Sequence, residues 1–336
     1  MMKSRKITMA AAAAGTAAAL TGLALTGLAL TGAANASTGH AAAAHGYTFT
    51  TLDNHRDRTF NQLLGINNHG VISGYFGSGM SGHPNKGYLL EPPYRQHSYV
   101  NENFPHSAQT QVTGLNGVGN TVGFFANKAG ANFGFYTTGR HFKFHKVDFP
   151  HASNIHPQVD QLLGINSHGE AVGFYQNFKQ NFRGYEYNIH THVFKRVVQP
   201  GVVVNANTAS LTATSINNNG DVAGFYTNGS GATVGFIKYA HGGFKSLNYP
   251  GSSMTQIFGI NDSDEVVGAY TVGTSSTPPS YGFTWTPKHG FTEVNDPHGV
   301  GSTLINGVND SGELVGFFTN AADNNFTQAF LAVPKR

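Results

Sequence analysis

The chain repeats itself six times, and this periodicity constrains its fold more than any other feature. An Asn that follows an apolar residue recurs at Asn67, Asn116, Asn166, Asn217, Asn261 and Asn309. A Gly stands seven residues after each of these Asn residues, and an aromatic residue stands nine residues after each. Repeats of about 40 to 50 residues are typical of propeller blades and of helical arrays.

The pattern inside each repeat favours strands. A short run such as QLLGIN (62–67) leads into a turn such as NNHG (67–70), whose last residue is Gly in five repeats and Asp264 in the other. Gly and Asp tolerate the positive φ that hairpin loops require. A strand-like segment such as EAVGFY (170–175) follows, and no segment shows an apolar period of 3.6 over ten residues. We therefore predict four short strands in each repeat.

The ends of the chain predict how the repeats close. The fourth strand of a repeat carries an aromatic residue, and this motif also occurs once before the first repeat, as FTTLD (49–53). The last repeat ends without a fourth strand. The sequence therefore predicts an all-β fold over residues 47–336. The expected architecture is a six-bladed β-propeller with four strands per blade, closed 3+1 by the N-terminal strand.

Residues 1–36 differ from the rest of the chain. Lys3, Arg5 and Lys6 precede an uncharged Ala/Leu/Gly/Thr stretch, and Ala34-Asn35-Ala36 forms a small-x-small cleavage motif. This layout is typical of a secretory signal peptide, although the apolar run is also long enough for an uncleaved membrane anchor. We predict a signal peptide at 1–36, a disordered lead at 37–46, and a secreted, extracellular protein that does not insert into the membrane after cleavage.

Charge and composition restrict the kinds of partner and of metal site that the chain can have. The net charge of +3 falls to zero when the three basic residues of the signal are removed. The mature chain therefore lacks the excess of positive charge with which proteins attract nucleic acid. The chain has no cysteine, which excludes disulfides and zinc–thiolate sites. All 17 histidines lie in the mature part, so binding or self-association is expected to change between about pH 7.5 and 5.5.

The repeat resembles the HAF-type extracellular repeat family of secreted bacterial proteins. The residues that carry the resemblance are the GINNxG turn at 65–70, the VVG strand at 266–268 and the Ala-Phe pair that follows Gln in Gln328-Ala329-Phe330. The resemblance covers nearly all of 47–334 and implies a repeat architecture. It brings no common activity and no site residues, and most repeats have Gly-aromatic where the family has His-Ala-Phe.

Histidines cluster in the predicted crossovers between blades. The position after the crossover Pro holds His106, His151 or His298, and the N-terminal copy has His55 and Arg56. These joints are contiguous around the predicted ring, whereas the other two joints carry Gly. One half of the loop-rich face is therefore expected to be rich in imidazole, as when a site is added to a symmetric scaffold.

Asp160 is the only carboxylate in its column, at the start of the predicted inner strands. With His106, His151, His156 and Asp57 it could bind a divalent cation at the channel mouth or act as a base. His151, His156 and Asp160 are thus the candidate catalytic residues. In the alternative, the carboxylate caps neighbouring strand-end amides, and the histidines pack in the joints.

A binding role has its own candidates. They are His106, His298, Asp57, Arg58 and the sole tryptophan, Trp285, which lies outside the repeat columns. We expect a monomeric binding or scaffold module for an extracellular glycan or protein, with no resident cofactor. The alternative is an extracellular polysaccharide lyase or hydrolase that uses His and Asp on the loop-rich face.

Overall fold

The computed structural model describes residues 46–139, 142–150, 152, 157–199, 210–228, 230–273, 278–320 and 322–335. These residues form 24 β-strands and one short 3₁₀ turn at Gln96–Ser98. The predicted all-β class is therefore confirmed. The catalytic candidates His151 and His156, the signal segment and all of the predicted lead except Gly46 lie outside the described residues.

The strands form six consecutive antiparallel units. Strand β1 (Tyr47–Thr51) precedes the first unit. The first three units contain β2 (Asn61–Ile66), β3 (Ile72–Phe76), β4 (Lys86–Leu90) and β5 (Tyr99–Asn101); β6 (Gln109–Leu115), β7 (Thr121–Ala126), β8 (Asn132–Thr138) and β9 (Lys143–Val147); and β10 (Asp160–Ile165), β11 (Glu170–Gln176), β12 (Phe182–Asn188) and β13 (Phe194–Arg196). The last three contain β14 (Leu211–Ile216), β15 (Val222–Thr227), β16 (Thr233–Lys238) and β17 (Phe244–Leu247); β18 (Met254–Ile260), β19 (Val266–Thr271), β20 (Ser280–Thr286) and β21 (Gly290–Glu293); and β22 (Gly299–Val308), β23 (Leu314–Asn320) and β24 (Phe326–Pro334).

Strand pairing follows the order of the chain. The first three units are separate four-stranded sheets, whereas single parallel pairs, Thr233 with Met254 and Ser280 with Ser302, join the last three into one sheet of 12 strands. Strand β1 pairs antiparallel with β24, from Tyr47 opposite Pro334 to Thr51 opposite Phe330. The N-terminal strand thus completes the last unit, as the sequence predicts.

The recurring Asn residues link neighbouring units. The side-chain oxygen of Asn116 accepts hydrogen bonds from the backbone amides of Val118 and Asn120, which holds the turn. Its Nδ2 donates to the carbonyl oxygen of Asn166, 2.9 Å away in the next unit. The same donor bond runs from Asn67 to Asn116, from Asn166 to Asn217, from Asn217 to Asn261, from Asn261 to Asn309, and from Asn309 back to Asn67. These bonds form a closed cycle that joins the last unit to the first.

The recurring Gly residues are required by close backbone packing. A Cβ atom at Gly173 would lie 2.0 Å from the carbonyl oxygen of Gln161 on the adjacent strand, and the other five glycines of this column meet the same obstacle. The turn position has positive φ in every repeat, including φ +59° at Asp264. Both columns are therefore backbone requirements.

Aromatic residues fill three of the six joints between units. Phe104 stacks on Phe125, Phe149 on Tyr175 and Tyr249 on Tyr270, with ring centroids 3.6–4.0 Å apart. The equivalent residue at the other three joints is polar: Asn54, Gln199 and Asp296. Those three joints lack this aromatic stack, and the one at Asn54 adjoins the cleft described below.

Candidate functional site

Asp160 is a buried structural acceptor. Its side chain is 0% exposed, its Oδ2 accepts a hydrogen bond from the Phe149 amide at 2.5 Å, and its Oδ1 accepts one from the Tyr185 hydroxyl at 2.6 Å. Burial raises its pKa to about 7 against the opposing effect of these two donors. With both oxygens occupied and no exposed surface, Asp160 does not present a base at a channel mouth.

The same capping bond recurs at the equivalent positions. Asn61 accepts from the Asn54 amide, Thr110 from Phe104, Thr255 from Tyr249 and Thr303 from Asp296. The role therefore belongs to the repeat and needs an oxygen acceptor. The structure favours the capping alternative for Asp160.

Trp285 is part of the core. It is 5% exposed and packs among the buried side chains between the fourth and fifth units, which include Ile237, Leu247 and Phe283. The ammonium group of Lys245 lies 4.6 Å from the centre of its ring. Trp285 therefore does not offer a free face to a ligand, contrary to the sequence-based expectation.

The two described histidine candidates, His106 and His298, are exposed. His106 is exposed in a turn with φ +62°. The His298 side chain is 68% exposed, and its Nδ1 lies 3.0 Å from Oδ1 of the buried Asp296. Burial raises the pKa of Asp296, while the bonds to His298 lower it. Within the described ranges, no three His, Asp or Glu side chains are grouped to hold a metal ion.

Asp57 and Arg58 occupy the crossover into the first unit. Asp57 accepts hydrogen bonds from Thr59 and lies 2.9 Å from Nδ1 of His83. Although burial acts to raise it, these bonds hold the pKa of Asp57 below its usual value. Asp57 thus stabilises the crossover, while the exposed Arg58 borders a cleft.

This cleft, of about 450 Å³, lies where the last unit meets the first, and we call it the seam cleft. The last unit contributes Thr51, Leu52, Asp53, Asp323, Phe326 and Gln328; the crossover contributes His55 and Arg58; and the first unit contributes Tyr94, Gln96 and Tyr99. Its volume falls within the roughly 300–1,000 Å³ that is typical of small-molecule sites.

Asp53 is a carboxyl group that lines the seam cleft and has a raised pKa. Its Oδ1 accepts a hydrogen bond from the Ala329 amide at 2.9 Å. Burial and the nearby carboxylate of Asp323 raise its pKa to about 6, while Ala329, Arg58 and Gln328 act to lower it. A carboxyl group with a raised pKa in a cleft is a recognised indication of a functional site.

The fold does not require a carboxylate at position 53. Asn103 and Asn295 stand at the equivalent positions, and their amide oxygens accept the corresponding hydrogen bonds from Gly87 and Gly282. An amide therefore suffices for the structural bond, and the charge of Asp53 is available for another role.

The floor and walls of the seam cleft are held by hydrogen bonds. The amide of Gln96 donates to the carbonyl oxygen of Asp53 at 2.7 Å, and its oxygen accepts from the amide of His55 at 3.0 Å. The Tyr99 hydroxyl donates to the carbonyl of Leu52 at 3.0 Å. These bonds tie the first unit to the crossover and fix the width of the cleft.

The sequence predicts Arg58 as a binding residue and His55 as one of the crossover histidines, but it does not single out the other residues of this cleft. Asp53 belongs to a repeat column that also holds Asn103, Asp148, Asn248 and Asn295. Its carboxylate separates Asp53 from the three Asn copies but not from Asp148. A second signal is the long connection between β4 and β5, residues 91–98, which supplies Tyr94 and Gln96.

No protein-family model matches the sequence. No curated protein matches it either. No helix with the length and apolar character of a membrane span occurs in the described ranges.

Solved structures resemble the chain at low sequence identity. AofleA from Arthrobotrys oligospora matches with a TM-score of 0.50 and 13% identity, over 85% of this chain and 86% of that one. TolB from Acinetobacter baumannii matches with a TM-score of 0.49 and 8% identity, over 82% of this chain and 64% of its own. The SapL1 lectin, solved in complex with alpha methyl fucoside, matches with a TM-score of 0.49 and 8% identity, over 83% of this chain and 96% of that one. The chain thus spans about two thirds of TolB, and the likeness to AofleA shows a shared fold.

Proposed function

We propose that the chain is a six-bladed β-propeller that binds a saccharide in the seam cleft. Three observations support the propeller: the six consecutive antiparallel units, the completion of the last unit by β1, and the closed cycle of Asn hydrogen bonds. A propeller of this kind leaves only short, protected strand edges. Its blades are the six units.

The chemistry of the seam cleft suits a saccharide. Carboxylates accept hydrogen bonds from hydroxyl groups, a guanidinium donates them, and the amide of a Gln side chain does both. Asp53, Asp323, Arg58 and Gln328 provide these groups around one cleft. The half-buried ring of Phe326 adds an apolar surface for the C–H face of a sugar.

The proposal depends most on the position and surroundings of Asp53. It brings a partly buried carboxyl group into a cleft whose other polar groups converge on it, at a position where Asn satisfies the fold elsewhere. A few placed polar groups in a largely preformed cleft are what fixes a ligand's orientation and gives specificity.

The test begins with a glycan array and continues with calorimetric titration of a saccharide that binds. We expect Arg58→Gln to weaken binding at least tenfold, because the bordering guanidinium is lost. Arg56→Gln is the matched control, since Arg56 lies in the same crossover but does not line the cleft. Equal binding by both variants, or no binding across the array, would contradict the proposal.

The proposal includes export and membership in the HAF-type repeat family. Cleavage after Ala36 would leave a mature chain that begins at Ser37. N-terminal sequencing of protein recovered from the culture medium checks this, and an intact Met1 in the recovered protein would contradict it.

A further inference from the structure

Glu102 is a buried carboxyl group at a position where the other joints have an aliphatic side chain. It follows β5 at the start of the crossover into the second unit, and its backbone amide donates to the carbonyl oxygen of Gly87 on β4. The equivalent residues pair with the corresponding strands of their own units and are all buried: Leu52, Val147, Val197, Leu247 and Val294. Glu102 is 1% exposed, so a carboxyl group takes the place of a hydrocarbon side chain at one joint of six.

A second polar replacement accompanies Glu102 in the same joint. The hydroxyl of Thr121 on β7 donates to Oε1 of Glu102 and lies 2.6 Å from the hydroxyl of Thr137 on β8. Both threonines are fully buried. The residues equivalent to Thr121 are buried and apolar: Ile72, Ala171, Val222, Val266 and Leu314. Glu102 and Thr121 thus form a polar cluster inside a joint that is hydrophobic in the other copies.

This cluster does not satisfy a charged carboxylate. Oε2 of Glu102 is buried and has no hydrogen-bond partner within the part of the chain that the structure describes. Burial has the largest effect on the pKa of Glu102 and raises it to about 7, while the hydroxyls of Thr121 and Thr137 lower it. The titratable side chains on the surrounding strands β4, β5, β8 and β9 do not act on it: Lys86, Tyr88, Tyr99, Tyr136, Lys143, His145 and Lys146. The closed joint therefore favours the neutral acid over the carboxylate.

The segment that Glu102 begins, residues 102–108, is the crossover from the first unit to the second. Its start is held by the 3.0 Å bond from the Glu102 amide to Gly87, and its middle is held by the Phe104 ring, which stacks on Phe125 with the ring centroids 3.7 Å apart. Because the Glu102 side chain is enclosed by these contacts, water reaches its carboxyl group only when the segment moves outwards. Hydration of the charge and closure of the segment thus exclude each other.

We propose that Glu102 makes the joint between the first and second units sensitive to pH: the segment 102–108 is closed while the carboxyl group is neutral and opens when the group loses its proton. In the open form the group is hydrated, and its pKa returns to the ordinary value for Glu of about 4.3. Opening therefore becomes roughly tenfold more favourable with each pH unit above about 4.3, until the closed form also ionises near pH 7. This device is independent of saccharide binding in the seam cleft.

Amide hydrogen–deuterium exchange of the whole protein, read by mass spectrometry on peptides that cover 102–108, measures the opening. The parent is compared with Glu102→Gln at each pH, so that the intrinsic pH dependence of exchange cancels. We expect the opening equilibrium of the parent, relative to the variant, to rise on the order of a hundredfold between pH 5 and 8 and to level off above about 7.

Glu102→Leu is a second variant, because Leu52 and Leu247 fill the equivalent positions. It should keep the segment closed over the whole pH range, and it serves as the reference if Glu102→Gln does not fold. Asp160→Asn removes a different buried carboxyl group, at the joint between the second and third units, and should leave the pH-dependent opening of 102–108 in place.

Two results would overturn the proposal. The first is a ratio of opening between the parent and the Glu102 variants that stays constant from pH 5 to 8. The second is an equal rise with pH in peptides from the other crossovers, because that would show unfolding of the whole molecule in place of a local opening.

Discussion

Burial opposes the charge of several carboxyl groups among the described residues, including Asp160, Glu102 and Asp53. Burial raises the pKa of Asp160 to about 7, that of Glu102 to about 7 and that of Asp53 to about 6. The Thr121 hydroxyl donates to Oε1 of Glu102, while Oε2 is buried and finds no hydrogen-bond partner in the described chain. These residues therefore link proton binding to folding, independently of any ligand.

The linkage gives stability a definite direction with pH. Between about pH 4 and 7 the folded protein holds protons on these carboxyl groups that the unfolded chain releases, so the free energy of unfolding falls as pH rises. Asp160→Asn removes the charge and keeps an acceptor for the Phe149 amide, as Asn61 does in the first unit. We expect the variant to be more stable than the parent at pH 8 by roughly 2–4 kcal/mol, and to approach it at low pH.

Urea unfolding of the parent and of Asp160→Asn at a series of pH values between 4 and 8 measures this. The difference between the two free energies should grow with pH and level off above about 7. A difference that stays constant with pH would mean that Asp160 is already ionised at the low end of the range.

At the scale of the strands and turns, the sequence predicts most of what is observed, because each signal is present six times. Four strands per repeat, the positive-φ turn and the pairing of β1 with β24 all follow from repeat columns. The candidate site residues are not repeated in this way. Trp285 is therefore predicted from the sequence as an accessible binding residue, whereas the structure places it in the core. Trp285 lies two residues after the buried Phe283 on β20, and the two-residue period of a strand puts both on one face.

The cycle of Asn hydrogen bonds between units can be tested one bond at a time. Asn116→Asp keeps the acceptor for Val118 and Asn120 but loses the Nδ2 donor to Asn166. We expect a loss of about 1–3 kcal/mol in the free energy of unfolding, because a buried carbonyl loses its partner. Chemical denaturation measures it.

Asn127→Asp is the matched control for this test. Asn127 holds a similar turn by accepting from Ala129 and Ala131, and the described chain gives its Nδ2 no inter-unit bond. Its replacement should change stability by no more than about 0.5 kcal/mol. Equal losses in the two variants would show that the inter-unit bond contributes nothing.

At the scale of the whole molecule, the first and the last described strands meet beside the seam cleft. Residues 51–58 and 323–328 are far apart in sequence, and β1 brings them together by pairing with β24. No repeat column predicts such a site, because it lies only where β1 pairs with β24. The same pairing explains why Asp53 faces Asp323 and Gln328, which come from the other end of the described strands.

The most direct test of the central claim is a crystal structure of the protein with a saccharide identified on the array. We predict that the sugar occupies the seam cleft, with hydroxyl groups bonded to the carboxylate of Asp53 and the guanidinium of Arg58, and with its ring against Phe326. A sugar bound at another place, with the seam cleft left to solvent, would contradict it.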